Sequence, residues 1–264
     1  MTNEWGIERL DLDAYLVRIG EPAGDVSVET LHRLHAAHVR AIPFENIDVI
    51  LGTHPGLELD VIQAKLVGRQ RGGYCYEHAL LFAAVLETLG FEVERRVARV
   101  QPHKSGPKTH MNLLVRINDE PWLADVGFGA GILHPMPLKD GAVVDQAGWE
   151  HRLTQDGRTW TLAKRTADGW VPQHASDDEP QRLIDYLVYH HYVATNPHSP
   201  FSTKPVVMRL TDGVSRRLVG TELTTEHADG RIEHRILTTE DLGPALAALD
   251  VVLNDEELDR LLLR

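Results

Sequence analysis

The hydrophobic period of this chain switches from helical to strand-like at Gly90–Phe91, which forces different kinds of structure onto its two sides. Upstream, Asp13 is placed to cap a helix through Ala14, Tyr15, Leu16 and Ile19 that Gly20 ends. Ser27 can cap a second over Val28 to Ile42, before Pro43, with Val28, Leu31, Leu34, His38 and Ile42 on one stripe. A third starts at about Gly73, runs through Phe82, Val85, Leu86 and Leu89, and stops at Gly90. Leu81 and Ala84 lie off its stripe and are also apolar, so burial on more than one side is expected.

Downstream, Phe91, Val93 and Val97 alternate with charges, and Met111, Leu113, Val115 and Ile117 alternate with His110, Asn112, Leu114 and Arg116. Asn118 to Pro121 is a turn cluster, and Trp122 to Val126 the return strand of a hairpin. Turns at Asp156-Gly157 and Asp168-Gly169 continue a sheet or barrel to about Val171. Ser176 to Pro180 reads as a linker, and Leu183, Leu187 and Tyr192 mark a helix before a loop at Asn196 to Pro205. Val206 to Ile236 reads as a β-meander, and Ala245 to Leu263 as helical with a break near Asn254. The expected class is α+β.

Several partners are excluded by composition. The net charge of -12 argues against nucleic acid or an anionic membrane, which need a basic face. A phosphate-bearing cofactor needs only a local patch, for which Arg95, Arg96, Arg99, Lys104 and Lys108 are one candidate, a solvated strand face being the alternative. The longest apolar run, Ala79 to Leu86, is far short of the ~18 residues of a membrane span. Met1 to Gly6 lacks the pattern of a secretory leader, so a cytoplasmic location is expected. A single cysteine rules out a disulfide framework or a thiolate-rich metal cluster, leaving Cys75 as either core filler or a reagent.

The run Arg71-Gly72-Gly73-Tyr74-Cys75-Tyr76-Glu77 puts that thiol at the start of the third helix. There the helix dipole, with a nearby imidazolium, favours thiolate over thiol, while the paired glycines let a ligand approach the backbone. A thiolate nucleophile wants a base, and the base an orienting group. If residues of the Met111–Val126 hairpin pair with an odd sum, His110 and Asp125 face the same way, although the sequence leaves the register open. Among fifteen histidines His110 has no other distinction. His32, His35 and His38 are spaced by three, drift around their helix and have no acidic partner, so a solvated face is expected and a metal site is not. His190-His191 is no better as a metal pair.

These segments resemble one family. Arg71 to His78, then Thr109-His110, then Asp125-Val126-Gly127-Phe128-Gly129 follow the order and spacing of the arylamine N-acetyltransferases, and Pro43-Phe44-Glu45-Asn46, Asn196-Pro197, Ser199, Phe201 and Ser202 fit as well. The resemblance implies a papain-like cysteine-enzyme core: a helical bundle over 1–90 carrying the nucleophile, a β-barrel over 91–195 carrying the His and Asp, and an α/β lid over 196–264. It implies that Cys75 accepts acetyl from acetyl-CoA, His110 is the general base and Asp125 holds the imidazole. Transfer would be ping-pong, to arylamines, arylhydrazines or N-hydroxyarylamines. Phe44, Tyr74, Tyr76, Thr109, Phe128 and Phe201 would line the acceptor pocket, and Gly129 and Thr109 would meet the acyl donor. No metal is implied, and the chain would be a monomer or homodimer.

Arg71 is expected to pair with Glu45 or Asp48 and tie the catalytic helix to its neighbour. Ala79 stands where many relatives have asparagine, so local compensation is expected. The carboxyl-terminal third matches least specifically. Two other readings remain: a polyketide amide synthase or thiol hydrolase using the same triad, separable by acyl-donor preference, and a non-catalytic binding module, separable by an unreactive thiol.

Overall fold

A computed structural model describes residues 3–263; Met1 and Thr2 of the amino-terminal segment lie outside the described residues, as does Arg264. Helix α1 (Leu12–Ile19) is capped by Asp11 rather than by the expected Asp13, and the Asp11 side chain accepts from Ala14 N at 3.0 Å. Helix α2 (Val28–Ala41) starts at Ser27 as anticipated and ends before Pro43. After β1 (Phe44–Glu45) come two short helices, α3 (Ile47–Leu51) and α4 (Leu59–Gln63), the second continued by a π turn over Ala64–Gly68. Neither was legible in the sequence, because five residues are too few for a helical stripe to repeat. Helix α5 (Cys75–Thr88) is buried from Cys75 to Leu86, which satisfies the expectation that it is covered on more than one side.

The next block is an eight-stranded sheet in the order β5-β4-β3-β2-β9-β8-β7-β6. Its members are β2 (Glu92–Val100), β3 (Lys108–Ile117), β4 (Glu120–Ala124), β5 (Met136–Pro137), β6 (Val143–Asp145), β7 (Glu150–Asp156), β8 (Thr159–Thr166) and β9 (Gly169–Ser176). The edge strands β5 and β6 are joined through residues 138–142 alone, so the sheet must curl until its edges approach, as in a barrel. The β3–β4 turn is the pair Asn118-Asp119, both with positive φ, a two-residue hairpin turn whose hand suits twisted strands. Leu113 pairs with Ala124, an odd sum, so His110 and Asp125 are on the same face.

Helix α6 (Leu183–Thr195) leads to a five-stranded sheet in the order β1-β10-β11-β12-β13, with β10 (Val206–Thr211), β11 (Val214–Val219), β12 (Glu222–His227) and β13 (Ile232–Ile236). The strand that starts it, Phe44–Glu45, comes from the amino-terminal third and also bridges Gly73, so this sheet is bonded to the segment entering α5. Helices α7 (Thr239–Ala247) and α8 (Asp255–Leu262) close the chain, parted by residues 248–254 where a break was expected. Among the described residues no helix is long and apolar enough to cross a membrane.

A buried ionic group ties α3, α5 and α8 together. Arg71 reaches Asp48 at 3.2 Å, Glu45 at 3.4 Å and Glu257 at 3.0 Å, so both partners expected of it are present, with a third from α8. Beside it Lys65, 1% exposed, donates to Glu77 at 2.9 Å and lies 3.7 Å from Asp48. Burial opposes charge on Glu77, but Lys65 and His54 outweigh it and lower the carboxyl to about 2. Removing one member strands the others, so Lys65→Met should lower unfolding free energy by about 3–5 kcal/mol. Urea titration measures this, and an unchanged midpoint would show the network to be idle.

Candidate active site

Cys75 is the first residue of α5, so its sulfur lies where unpaired backbone N–H groups concentrate positive potential. The turn ahead of it is held from both sides. Glu77 accepts from the Tyr74 N–H at 3.1 Å, and the Cβ that any other residue would carry at Gly72 would stand 2.1 Å from the Pro43 carbonyl oxygen. Gly127 is needed for the same reason, since a Cβ there would meet Cys75 Cα at 2.9 Å and its carbonyl oxygen at 3.0 Å. The segment after Asp125 thus runs directly against the backbone of Cys75.

His110 comes from β3, and its ring lines the same cavity as the Cys75 thiol, which is among the groups that shift its pKa. Its Nε2 lies 2.8 Å from Asp125 Oδ2, which leaves Nδ1 as the nitrogen for the sulfur. Both side chains are buried, His110 to 4% and Asp125 to 1% exposure. Burial opposes a charged His110, but the carboxylate and the thiol outweigh it and raise the ring to about 10. Burial likewise opposes a charged Asp125, yet His110 and His174 hold the carboxyl well below the usual range. The arrangement is an ion pair with a thiol on its far side.

His174, from β9, places Nε2 3.0 Å from the same Asp125 oxygen and is kept neutral chiefly by burial. Sequence reasoning missed it, because a lone histidine in an alternating strand carries no local signal of a partner across the sheet. The donor atoms of His110, Asp125 and His174 lie within 4.8 Å of one another, a grouping of metal-ligand types. A cation there would compete with His110 for Asp125 and so break the pair.

Above the thiol opens a cavity of about 530 Å³. Phe44, Thr109, His110, Phe128, Gly129 and Phe201 line it along with Cys75, and Lys164, Arg217 and Glu226 stand elsewhere on its wall. Gly129 has φ 68°, and a Cβ there would meet Met208 Sδ at 2.5 Å. Tyr74 and Tyr76 do not line it; both are fully buried, the Tyr76 hydroxyl donating to Thr109 O at 2.6 Å and the Tyr74 hydroxyl bonding His190. Thr109 O is also 3.7 Å from Cys75 Sγ, so Tyr76 braces the strand beside the sulfur.

A family model described as N-acetyltransferase matches residues 27–251. The arylamine N-acetyltransferase of Mycolicibacterium smegmatis is 39% identical over 95% of this chain and 92% of its own length. The chain belongs to the arylamine N-acetyltransferase family. Among solved family structures, that from Mycobacterium abscessus superposes with TM-score 0.92 at 38% identity, covering 98% of this chain and 95% of the other. The Mycobacterium marinum family member in complex with CoA superposes with TM-score 0.88 at 31% identity, covering 95% of this chain and 98% of the other.

Two expectations are corrected within this arylamine N-acetyltransferase fold. The basic run after α5 is not a free patch: Arg95 pairs with Glu87 and stacks on Trp5, Arg96 pairs with Glu94, and Lys108 pairs with Asp177. Strand alternation sends neighbouring cations to opposite faces, where these three meet carboxylates, while Arg99 donates to the Gly106 carbonyl oxygen. The face of α2 carrying His35 and His38 is not solvated either, since both are fully buried. The signal was available, because His38 shares its stripe with Leu31 and Leu34. His38 Nε2 lies 2.8 Å from His78 Nδ1, whose Nε2 lies 3.0 Å from Gly73 O, while Ala79 next to it is simply core.

Proposed function

We propose that this chain transfers an acetyl group from acetyl-CoA to an arylamine, arylhydrazine or N-hydroxyarylamine through Cys75. The observation that carries the reading is the thiol at a helix N-terminus, backed by a buried His110–Asp125 pair and opening into a cavity walled by Phe44, Phe128 and Phe201. The thiolate attacks the acetyl carbonyl, forming an S–C bond, and the C–S bond to CoA breaks as the His110 imidazolium gives its proton to the departing thiolate. A neutral amine then attacks the thioester, forming N–C and breaking S–C, while the now neutral His110 takes the amine proton. Thiolate and imidazolium are regenerated. Backbone N–H groups at the start of α5 are suited to stabilise the oxyanion in both halves.

Aromatic walls favour a flat acceptor, and a weakly basic amine is neutral when it arrives. The cationic Lys164 and Arg217 on the same wall suit the phosphates of an acyl-CoA. Under this reading the bundle 1–90 supplies the nucleophile, the barrel 91–195 the base and its orienting carboxylate, and the segment 196–264 one wall of the cleft; a cytoplasmic site of action is part of it. Varying acetyl-CoA and arylamine together should give parallel double-reciprocal lines, because the acetyl-enzyme separates the half-reactions. Intersecting lines would indicate direct transfer in a ternary complex and leave Cys75 without a covalent role. An enzyme indifferent to acetyl-CoA but active on a longer thioester would instead favour an amide synthase.

A further inference from the structure

Strand β4 ends at Ala124, the last residue paired with β3, so the backbone N–H of Asp125 has left the ladder while still buried. A buried N–H without an acceptor is costly, and here the acceptor is a side chain. His35, fully buried on α2, takes this N–H on its Nε2 at 3.0 Å, while its Nδ1 lies 2.9 Å from the Leu133 carbonyl oxygen. The two contacts dictate one state of the ring. Nδ1 must carry the proton to donate to a carbonyl, and Nε2 must be bare to accept. Burial is the main force holding the ring neutral, at about 4, against the opposing pull of the Leu133 carbonyl and Asp125.

We propose that His35 is a positioning residue for acetyl transfer: by accepting the Asp125 N–H it fixes the backbone from which the carboxylate reaches His110. This rests on the triad reading above. The consequence is directional. Without that acceptor the Asp125 peptide must turn towards another partner, and the carboxylate, 2.8 Å from His110 Nε2, turns with it. His110 then loses its orientation towards the thiol. The aromatic walls Phe44 and Phe201 stand on other segments and do not move with Asp125, so the loss should fall on turnover rather than on substrate binding.

Two amides separate this role from mere core filling. Glutamine places its side-chain amide near the position of Nε2 and can accept the Asp125 N–H; asparagine ends near Nδ1 and cannot reach it. His35→Gln should keep kcat within about threefold of wild type, and His35→Asn should lose at least about tenfold, with KM for acetyl-CoA within about twofold in both. Iodoacetamide should alkylate Cys75 correspondingly more slowly in the asparagine variant at pH 7. Equal kcat in the two variants, or a loss confined to KM, would overturn the role of His35. Intact-mass analysis of wild-type protein after acetyl-CoA keeps the two readings apart: an acetyl group on Cys75 with equal variants refutes His35 alone, whereas no acetyl group on Cys75 refutes both. If His35→Asn does not fold, a tenfold or greater loss of kcat in soluble His35→Gln would itself overturn the proposal.

Discussion

Cys75→Ser should take up no acetyl group from acetyl-CoA and should lose acetyl transfer by at least roughly a thousandfold, because loss of a nucleophile removes the covalent route. The replacement is nearly isosteric at a position 5% exposed, so the fold should stand. A hydroxyl on the first turn of α5 has the same dipole and the same imidazole beside it as the thiol, but its proton is far harder to remove. Cys75 is also the only cysteine, so iodoacetamide should label wild-type protein once and the variant not at all. Intact-mass spectrometry reads both results. Near-normal turnover in Cys75→Ser would end the covalent mechanism.

Asp125→Asn should keep the shape of the site and lose its electrostatics. The carboxylate both orients His110 and accounts for much of the force that raises the ring to about 10 against burial. With an amide in its place burial dominates, the ring becomes neutral near pH 7, and the thiol loses its cationic neighbour. In serine triads the corresponding change costs about 10⁴ in turnover. A thiol gives up its proton more readily than a hydroxyl, so a loss of at least roughly a hundredfold in kcat/KM is expected here, about 2.7 kcal/mol of transition-state stabilisation. The alkylation profile of Cys75 should move to higher pH in the same variant. Unchanged turnover and reactivity would reduce Asp125 to a structural residue.

The same pair sets a pH window for stability. His110 is raised from 6.5 to about 10, so its contribution is fully present below 6.5 and is lost as pH rises through about 10. Asp125 is lowered, so its contribution is present above the ordinary carboxylate range and is lost only as pH falls through its depressed folded value. Wild-type stability should therefore hold a plateau between, and Asp125→Asn should flatten both flanks in urea titrations across pH.

Sequence by itself determined the elements that repeat their own pattern. The stripe of α2, the all-round apolar α5, the alternation of β3 and the meander β10 to β13 each announce themselves over seven or more residues, or through a run of turn signals. The cluster Asn118 to Pro121 announced a hairpin but left its register open; the structure decided the two-residue turn at Asn118-Asp119 and the odd pairing sum that puts His110 and Asp125 on one face. Cys75 was legible from its glycines and its helix start.

Tertiary structure alone decided what those residues touch. The short helix α3 is held by the ion pairs of Asp48 with Arg71 and Lys65 and by burial of Ile47, Ile50 and Leu51, and α4 by burial of Leu59 and Ile62, each too short for a stripe to repeat. His174 and His35 approach Asp125 from β9 and α2, 49 and 90 residues away in sequence, and Tyr74 and Tyr76 turn into the core instead of the cavity. A buried donor must find an acceptor, and a buried charge a counter-charge, wherever the packed chain brings one near. Periodicity reports which face of an element is covered; it carries no information about the element that covers it.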